Sequence, residues 1–223
     1  MYYLQNLRKF VSQSTHMKKL ILLLVSIILL QQANAQSFQK GSIVIAANYG
    51  IDGYRIQEKY TNKATSTSKD TTGGAAATNW NLGAEYGLFN WLGVGLQLKL
   101  DNYFHDSSIT NAIGFEAGVV LNIHIIRAQH FNLVAGFDIG LSNLTINYPQ
   151  DNVQVYGSGS WVDFHISPRF YFGRFGLNLN LYFPTINYAN LTTNVASFNQ
   201  YIASSWKGNG DGISFGIQYR IIN

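Results

Sequence analysis

The chain has 223 residues, no cysteine, and fifteen Lys and Arg against eleven Asp and Glu. Four of the bases, Arg8, Lys9, Lys18 and Lys19, precede the export cleavage site read below, so residues 36–223 carry eleven charges of each sign. That balance argues against a nucleic-acid partner, which requires a clustered positive surface. The missing cysteine excludes a disulfide framework, a thiolate metal site and an acylated lipoprotein anchor.

Met17-Lys18-Lys19 supplies a positive start, residues 20–30 an apolar stretch, and Ala33-Asn34-Ala35 a small-x-small cleavage site before Gln36. An apolar run this short falls below the ~20 residues a bilayer helix needs, so the segment reads as a cleaved signal. Residues 1–35 are therefore an N-terminal extension plus signal peptide, and 36–223 the working domain. Residues 1–16 sit in front of the signal and read as a mis-assigned start, with translation beginning at Met17.

Eight strands follow, each alternating between an apolar and a polar face, the period of two that a strand imposes. The first covers 42–55, with Ile43, Ile45, Ala47, Tyr49 and Ile51 on one side, and a polar loop over 58–78 follows. The second sets Trp80, Leu82, Ala84, Tyr86 and Leu88 against Asn81, Gly83, Glu85 and Gly87. Phe89-Asn90-Trp91 turns the chain into the third, where Leu92, Val94, Leu96, Leu98 and Leu100 oppose Gly93, Gly95, Gln97 and Lys99. A short loop over 105–110 leads to the fourth, Ile113 to Ile123 against Gly114, Glu116, Gly118, Asn122 and His124. A turn at 127–130 leads to the fifth, Leu133 to Leu141 against Asn132, Gly136, Asp138, Gly140 and Ser142.

Residues 149–160 read as a loop. The sixth strand presents Val162, Phe164, Ile166, Phe170 and Phe172 outward and Asp163, His165, Ser167, Arg169 and Tyr171 inward. Pro168 cannot donate to a ladder and marks a bulge or local break. Gly173-Arg174 turns into the seventh strand, Phe175 to Phe183. A long connection over 184–210 then precedes the last, with Ile213, Phe215, Ile217, Tyr219 and Ile221 outward and Ser214, Gly216, Gln218 and Arg220 inward.

The polar face is Gly, Asn, Ser and Gln with isolated charges, and charged residues make up only 12% of the chain, too few for a water-facing barrel exterior. Phe89, Trp91, Phe131, Phe172, Phe175 and Tyr219 at one set of strand ends, and Trp80, Phe104, Trp161 and Phe183 at the other, read as headgroup-level belts. The fold class is thus all-β, an eight-stranded antiparallel up-and-down transmembrane β-barrel. Its apolar face meets lipid and its turns and loops lie on opposite rims.

From Gly41 onward the chain resembles the small outer-membrane β-barrel proteins of Gram-negative bacteria, the porin-like or outer membrane protein β-barrel domain family. The resemblance is carried by the signal ending ANAQ, the hairpin YGLFNWLGVGLQL and the terminal strand GISFGIQYRI. It implies an outer-membrane location with membrane lipid as the surroundings. It also implies a last strand read by the barrel-assembly machinery through Gly216, Tyr219 and Ile221. This chain closes on Ile222-Asn223 where the family usually closes on an aromatic.

The inward chemistry comprises Asp52, Glu85, Lys99, Asp101, Glu116, His124, Asp138, Asp163, His165, Arg169 and Arg220. An eight-stranded barrel is just wide enough for side chains to fill, and unpaired charges in it cost several kcal/mol, so these form an internal salt-bridge plug. Lys99, Glu116, Asp138 and His165 lie midway along their strands and are expected near the waist. His124 and His165 could become metal ligands beside Asp138 or Glu116, but no ligand spacing supports it.

His105-Asp106-Ser107-Ser108 holds hydrolase residue types without the geometry that adjacency cannot give. Asn209-Gly210-Asp211-Gly212 is too short for an EF-hand loop, and Gly157-Ser158-Gly159-Ser160 lacks a phosphate-binding lysine. No catalytic, cofactor or metal set is assigned. The loops over 58–78 and 184–210 are the places for an extracellular ligand or protein. Tyr188, Phe198, Tyr201 and Trp206 in the second either bind there or cap the barrel mouth. The reading is a filled barrel with a structural, adhesive or binding role at the surface. A small-molecule or lipid-binding or transport barrel is the alternative, and a lipid-modifying enzyme, whose motifs are missing, the second.

Overall fold

A computed structural model describes residues 37–62, 67–105, 109–149, 151–200 and 202–221. Ala35 and Gln36 at the cleavage site, Asp106-Ser107-Ser108, Tyr201 and Ile222-Asn223 lie outside the described residues, as does everything before them in the signal. Eight strands run in chain order: β1 (Ile43–Asn62), β2 (Thr67–Gly87), β3 (Leu92–Tyr103), β4 (Asn111–Arg127), β5 (Phe131–Tyr148), β6 (Val153–Phe172), β7 (Phe175–Thr193) and β8 (Ser205–Ile221). Each pairs antiparallel with its neighbours, and β8 closes on β1 from Ile43↔Ile221 to Lys59↔Ser205. Closure leaves no strand edge, the condition for crossing a bilayer without helices. Among the described residues no helix is long and apolar enough to cross.

The outward residues of every strand form an apolar belt. Leu96, Leu141, Ile217 and Phe215 are each more than half exposed. From Leu92 to Leu100 on β3, or Ile213 to Ile221 on β8, the belt matches the ~9–11 residues a tilted strand spends in hydrocarbon. Three tight connections, 88–91, 128–130 and 173–174, share one rim with the described chain ends. Gly173 takes positive φ (70°) there, which a side chain would resist. By the usual asymmetry the tight-turn rim is periplasmic and the opposite rim extracellular.

Three expected loops are largely strand. The stretch 58–78 belongs mostly to a hairpin paired out to Asn62↔Thr67. Most of 149–160 is the start of β6, paired at Tyr148↔Val153. The stretch 184–210 is the end of β7, a short 3-10 helix (Ala196–Gln200) and the start of β8. The cause is a change of face. Beyond the belt the outward side chains turn polar, with Arg55, Gln57, Lys59, Asn143, Ser158 and Lys207 exposed. The inward ones turn apolar, with Ile56, Leu144, Val155, Ile186 and Trp206 buried. The lower barrel is ordered for lipid and the upper barrel for water. Trp161 belongs to that upper interior: it is fully buried, paired at Gly140↔Trp161, and does not join the outer aromatic belt.

Pro168 breaks the ladder without shifting it. Pairing of β6 with β7 lapses at Ser167 and Pro168 and resumes at Arg169↔Asn178 in the register of Ile166↔Leu181, while Leu133↔Pro168 holds the other side. True register shifts occur instead between His124 and Ile126, and between Tyr156 and Ser158.

Candidate functional site

The lumen is built in tiers. At the turn rim Ser37 and Phe38 fold into the mouth and are buried, with the Phe38 ring stacked on His124 at 3.5 Å between centroids. Arg220 fixes this segment, donating to the Ser37 carbonyl and, at 3.0 Å, to the Gly173 carbonyl, with its guanidinium 4.5 Å over the Tyr171 ring. Beneath Phe38, Asn132 meets His124 Nδ1 at 2.7 Å and Glu85 Oε1 meets Nε2 at 2.6 Å. With the amide donating to Nδ1, the ring keeps its proton on Nε2 and donates it to Glu85. Arg169 donates to the other Glu85 oxygen at 2.8 Å, so this carboxylate has a partner on each side.

Toward the loop rim a second tier centres on Lys99. Its Nζ lies 2.6 Å from Asp52, 3.2 Å from Asp101 and 3.4 Å from Glu116, all buried. The Tyr54 hydroxyl lies 3.0 Å from Asp52 and 3.1 Å from Asp101. Asn79 donates to the remaining Asp52 oxygen at 2.8 Å, and Ser142 donates to Glu116 at 3.4 Å. One ammonium thus serves three carboxylates brought from three strands.

Between these tiers His165 Nδ1 lies 3.0 Å from Asp138 and Nε2 lies 3.1 Å from Asn122. Asp163 stands directly across from Asp138 and accepts the Phe183 N–H at 2.9 Å. A cavity of about 70 Å³ adjoins them, lined among others by Asn48, Asn81, Gln97 and Asn122. It is polar and large enough for a few waters. Glycines make the room: a Cβ at Gly136 would collide with His165, and one at Gly212 with Tyr182 and Asp52.

All eleven inward residues singled out in the sequence lie inside the barrel. The four expected together at the waist do not form one cluster: Lys99 joins Glu116, while Asp138 joins His165; His124 lies apart with Glu85. Sequence reasoning missed Tyr54 and Asn79 as partners of Asp52 and Tyr182 as the partner of Asn79, and missed Phe38 altogether. Tyr54, Asn79 and Tyr182 share the inward parity of the charged residues, and that parity was the available signal.

Above Lys99 the lumen is closed by rings. Trp206 stacks on Tyr188 at 5.2 Å and meets Tyr103 edge-on at 6.0 Å, with Trp161 and Ile186 packed into the same cluster. Tyr188 and Trp206 therefore cap the barrel from inside. Over this floor opens a bowl of about 420 Å³, walled by Ile56, Leu144, Ile146, Val155, Leu191 and Ile202. Its lip carries Glu58, Tyr60, His105 and Tyr148, with the Tyr60 hydroxyl bonded to Glu58 at 2.9 Å.

No family model matches the chain, and no curated protein sequence matches it. Among solved structures it is similar to Neisserial surface protein A, with a TM-score of 0.55 at 10% identity over 81% of this chain and 99% of that one. It is equally similar to the outer membrane protein OprG from Pseudomonas aeruginosa, with a TM-score of 0.55 at 12% identity over 85% of this chain and all of that one. At such identity the likeness is one of fold, and the fold is that of the small Gram-negative outer-membrane β-barrels.

Proposed function

We propose that this outer-membrane barrel is a closed surface receptor that takes a small apolar molecule into the bowl at its loop rim, without turnover. The observation that carries the reading is the bowl itself, about 420 Å³ of mainly apolar wall raised on the water-facing half of the barrel. Its volume lies in the range of small-molecule sites, and a few polar groups at the lip over apolar walls are the usual composition of one. The tiers of Trp206, Lys99 and His124 below favour capture at the surface over passage through the lumen. We also propose β8, with Gly216, Tyr219 and Ile221, as the segment that the barrel-assembly machinery reads.

The test is titration of lipid-nanodisc-embedded protein with N-phenyl-1-naphthylamine, following the probe's emission and quenching of tryptophan. Saturable binding with tryptophan quenching is expected, weakened at least about tenfold by Ile146→Trp, which fills the bowl. Tenfold corresponds to about 1.4 kcal/mol. Failure of the wild type to bind above protein-free nanodiscs, or equal binding by Ile146→Trp, overturns the reading.

A further inference from the structure

We propose that Asp138, Asp163 and His165 form a site for a divalent transition-metal ion of the zinc class inside the barrel. Their donor atoms all lie within 4.8 Å of one another, and all three residues are more than nine-tenths buried. No ligand spacing marks the set along the chain because it is assembled across a ladder: Asp138 and Asp163 are direct partners on β5 and β6, and His165 is the next inward position on β6.

Three observations call for a cation at this point. Two carboxylates face each other directly across neighbouring strands, an arrangement that like charge disfavours. Among the described residues neither forms an ion pair with Lys or Arg; Lys99 is committed to Asp52, Asp101 and Glu116, and Arg169 to Glu85. Asp138 Oδ1 is buried with no hydrogen-bond partner, a lone pair presented to the interior.

The histidine supplies a further observation. Its two nitrogens face two acceptors, Asn122 Oδ1 at 3.1 Å and Asp138 Oδ2 at 3.0 Å. A neutral imidazole has one N–H to donate. With Nε2–H donated to Asn122, the Nδ1 lone pair points at a carboxylate, and a metal ion bound by both turns that repulsion into two bonds. Metal-bound histidines typically donate their other N–H to an oxygen in this way, and the Phe183 N–H orients Asp163 as a second outer partner.

The adjoining cavity of about 70 Å³, lined by Asp163 and His165, has room for water to complete the coordination. One imidazole with two carboxylates selects a borderline ion over magnesium or calcium. A dication there would also offset the excess of inward carboxylates over inward Lys and Arg.

The barrel is closed above and below the site, so loading belongs to folding. Denatured protein is refolded into lipid vesicles with excess Zn²⁺ or Mg²⁺, washed with a weak chelator, and its metal counted by mass spectrometry, with circular dichroism reporting the barrel. The wild type is expected to retain about one zinc and no magnesium, and to unfold at higher temperature when refolded with zinc. Asp138→Asn and Asp163→Asn, nearly isosteric, and His165→Gln are expected to lose the zinc, while His105→Ala at the exposed lip keeps it. A wild-type barrel without zinc, or zinc kept by Asp138→Asn and Asp163→Asn barrels, overturns the site. Neither result bears on ligand capture in the bowl, which is read by a different probe.

Discussion

At the scale of single residues, Lys99 carries the largest electrostatic responsibility in the molecule. Three buried carboxylates converge on its ammonium, so removing it leaves negative charge with no escape to water. Lys99→Met is expected to destabilise the barrel by about 3–5 kcal/mol in urea unfolding from vesicles, the cost of breaking a buried ion cluster from one side. Adding Asp101→Asn and Glu116→Gln should recover most of that loss. A triple variant no more stable than Lys99→Met would show that the lysine acts through packing. On the other face, Leu96 lies in the middle of the belt on β3 and is 65% exposed. Leu96→Arg should cost about 2–4 kcal/mol by the same measurement, the penalty for a base at the bilayer midplane. Gln97→Arg, whose side chain enters the polar cavity, should cost clearly less. The facing of each of these side chains is legible in the sequence because it depends only on parity. Their partners are not, because the tilt and stagger of the barrel decide which strands bring which rungs to the same height. Asp52 and Lys99 are distant in sequence and on non-adjacent strands, yet meet at 2.6 Å.

At the scale of elements, the belt portions of all eight strands could be read directly, and the upper portions could not. Two reasons are visible in β1 and β6. Gln57, Glu58, Lys59 and Asn62 carry the polarity of a loop, and Gly157-Ser158-Gly159-Ser160 carries its composition, yet both are laddered. The apolar residues that betray them, Tyr54 and Ile56 or Val153 and Val155, lie on the parity opposite to the one that is apolar in the belt. Trp161 was misplaced for the same reason, since its odd number groups it with the inward Asp163. The paired hairpin has a direct consequence. In folded proteoliposomes trypsin should leave Arg55, Lys59, Lys69 and Lys207 intact, as read by mass spectrometry of the fragments. Rapid cleavage at Arg55 or Lys59 would restore the loop. Trp161→Ala should destabilise by about 3–5 kcal/mol, since a large buried ring is removed from a packed interior.

At the scale of the whole molecule, the stacked tiers make the barrel a plug along its length. The wild type is expected to show no steady conductance in planar bilayers, and large stable currents would refute that sealing. The change of face along the strands has a further effect, on where the molecule floats. One height satisfies both halves of its surface. If it sank by a pleat, Arg55, Lys207 and Asp211 would be drawn toward hydrocarbon; if it rose, Ile51, Trp80 and Phe183 would be lifted toward water. Each displacement is opposed by many side chains around the circumference, so buoyancy is set from both directions. The lip formed by Tyr60, His105 and Tyr148 therefore stands clear of the headgroups, where a molecule arriving from outside meets it before it meets the membrane.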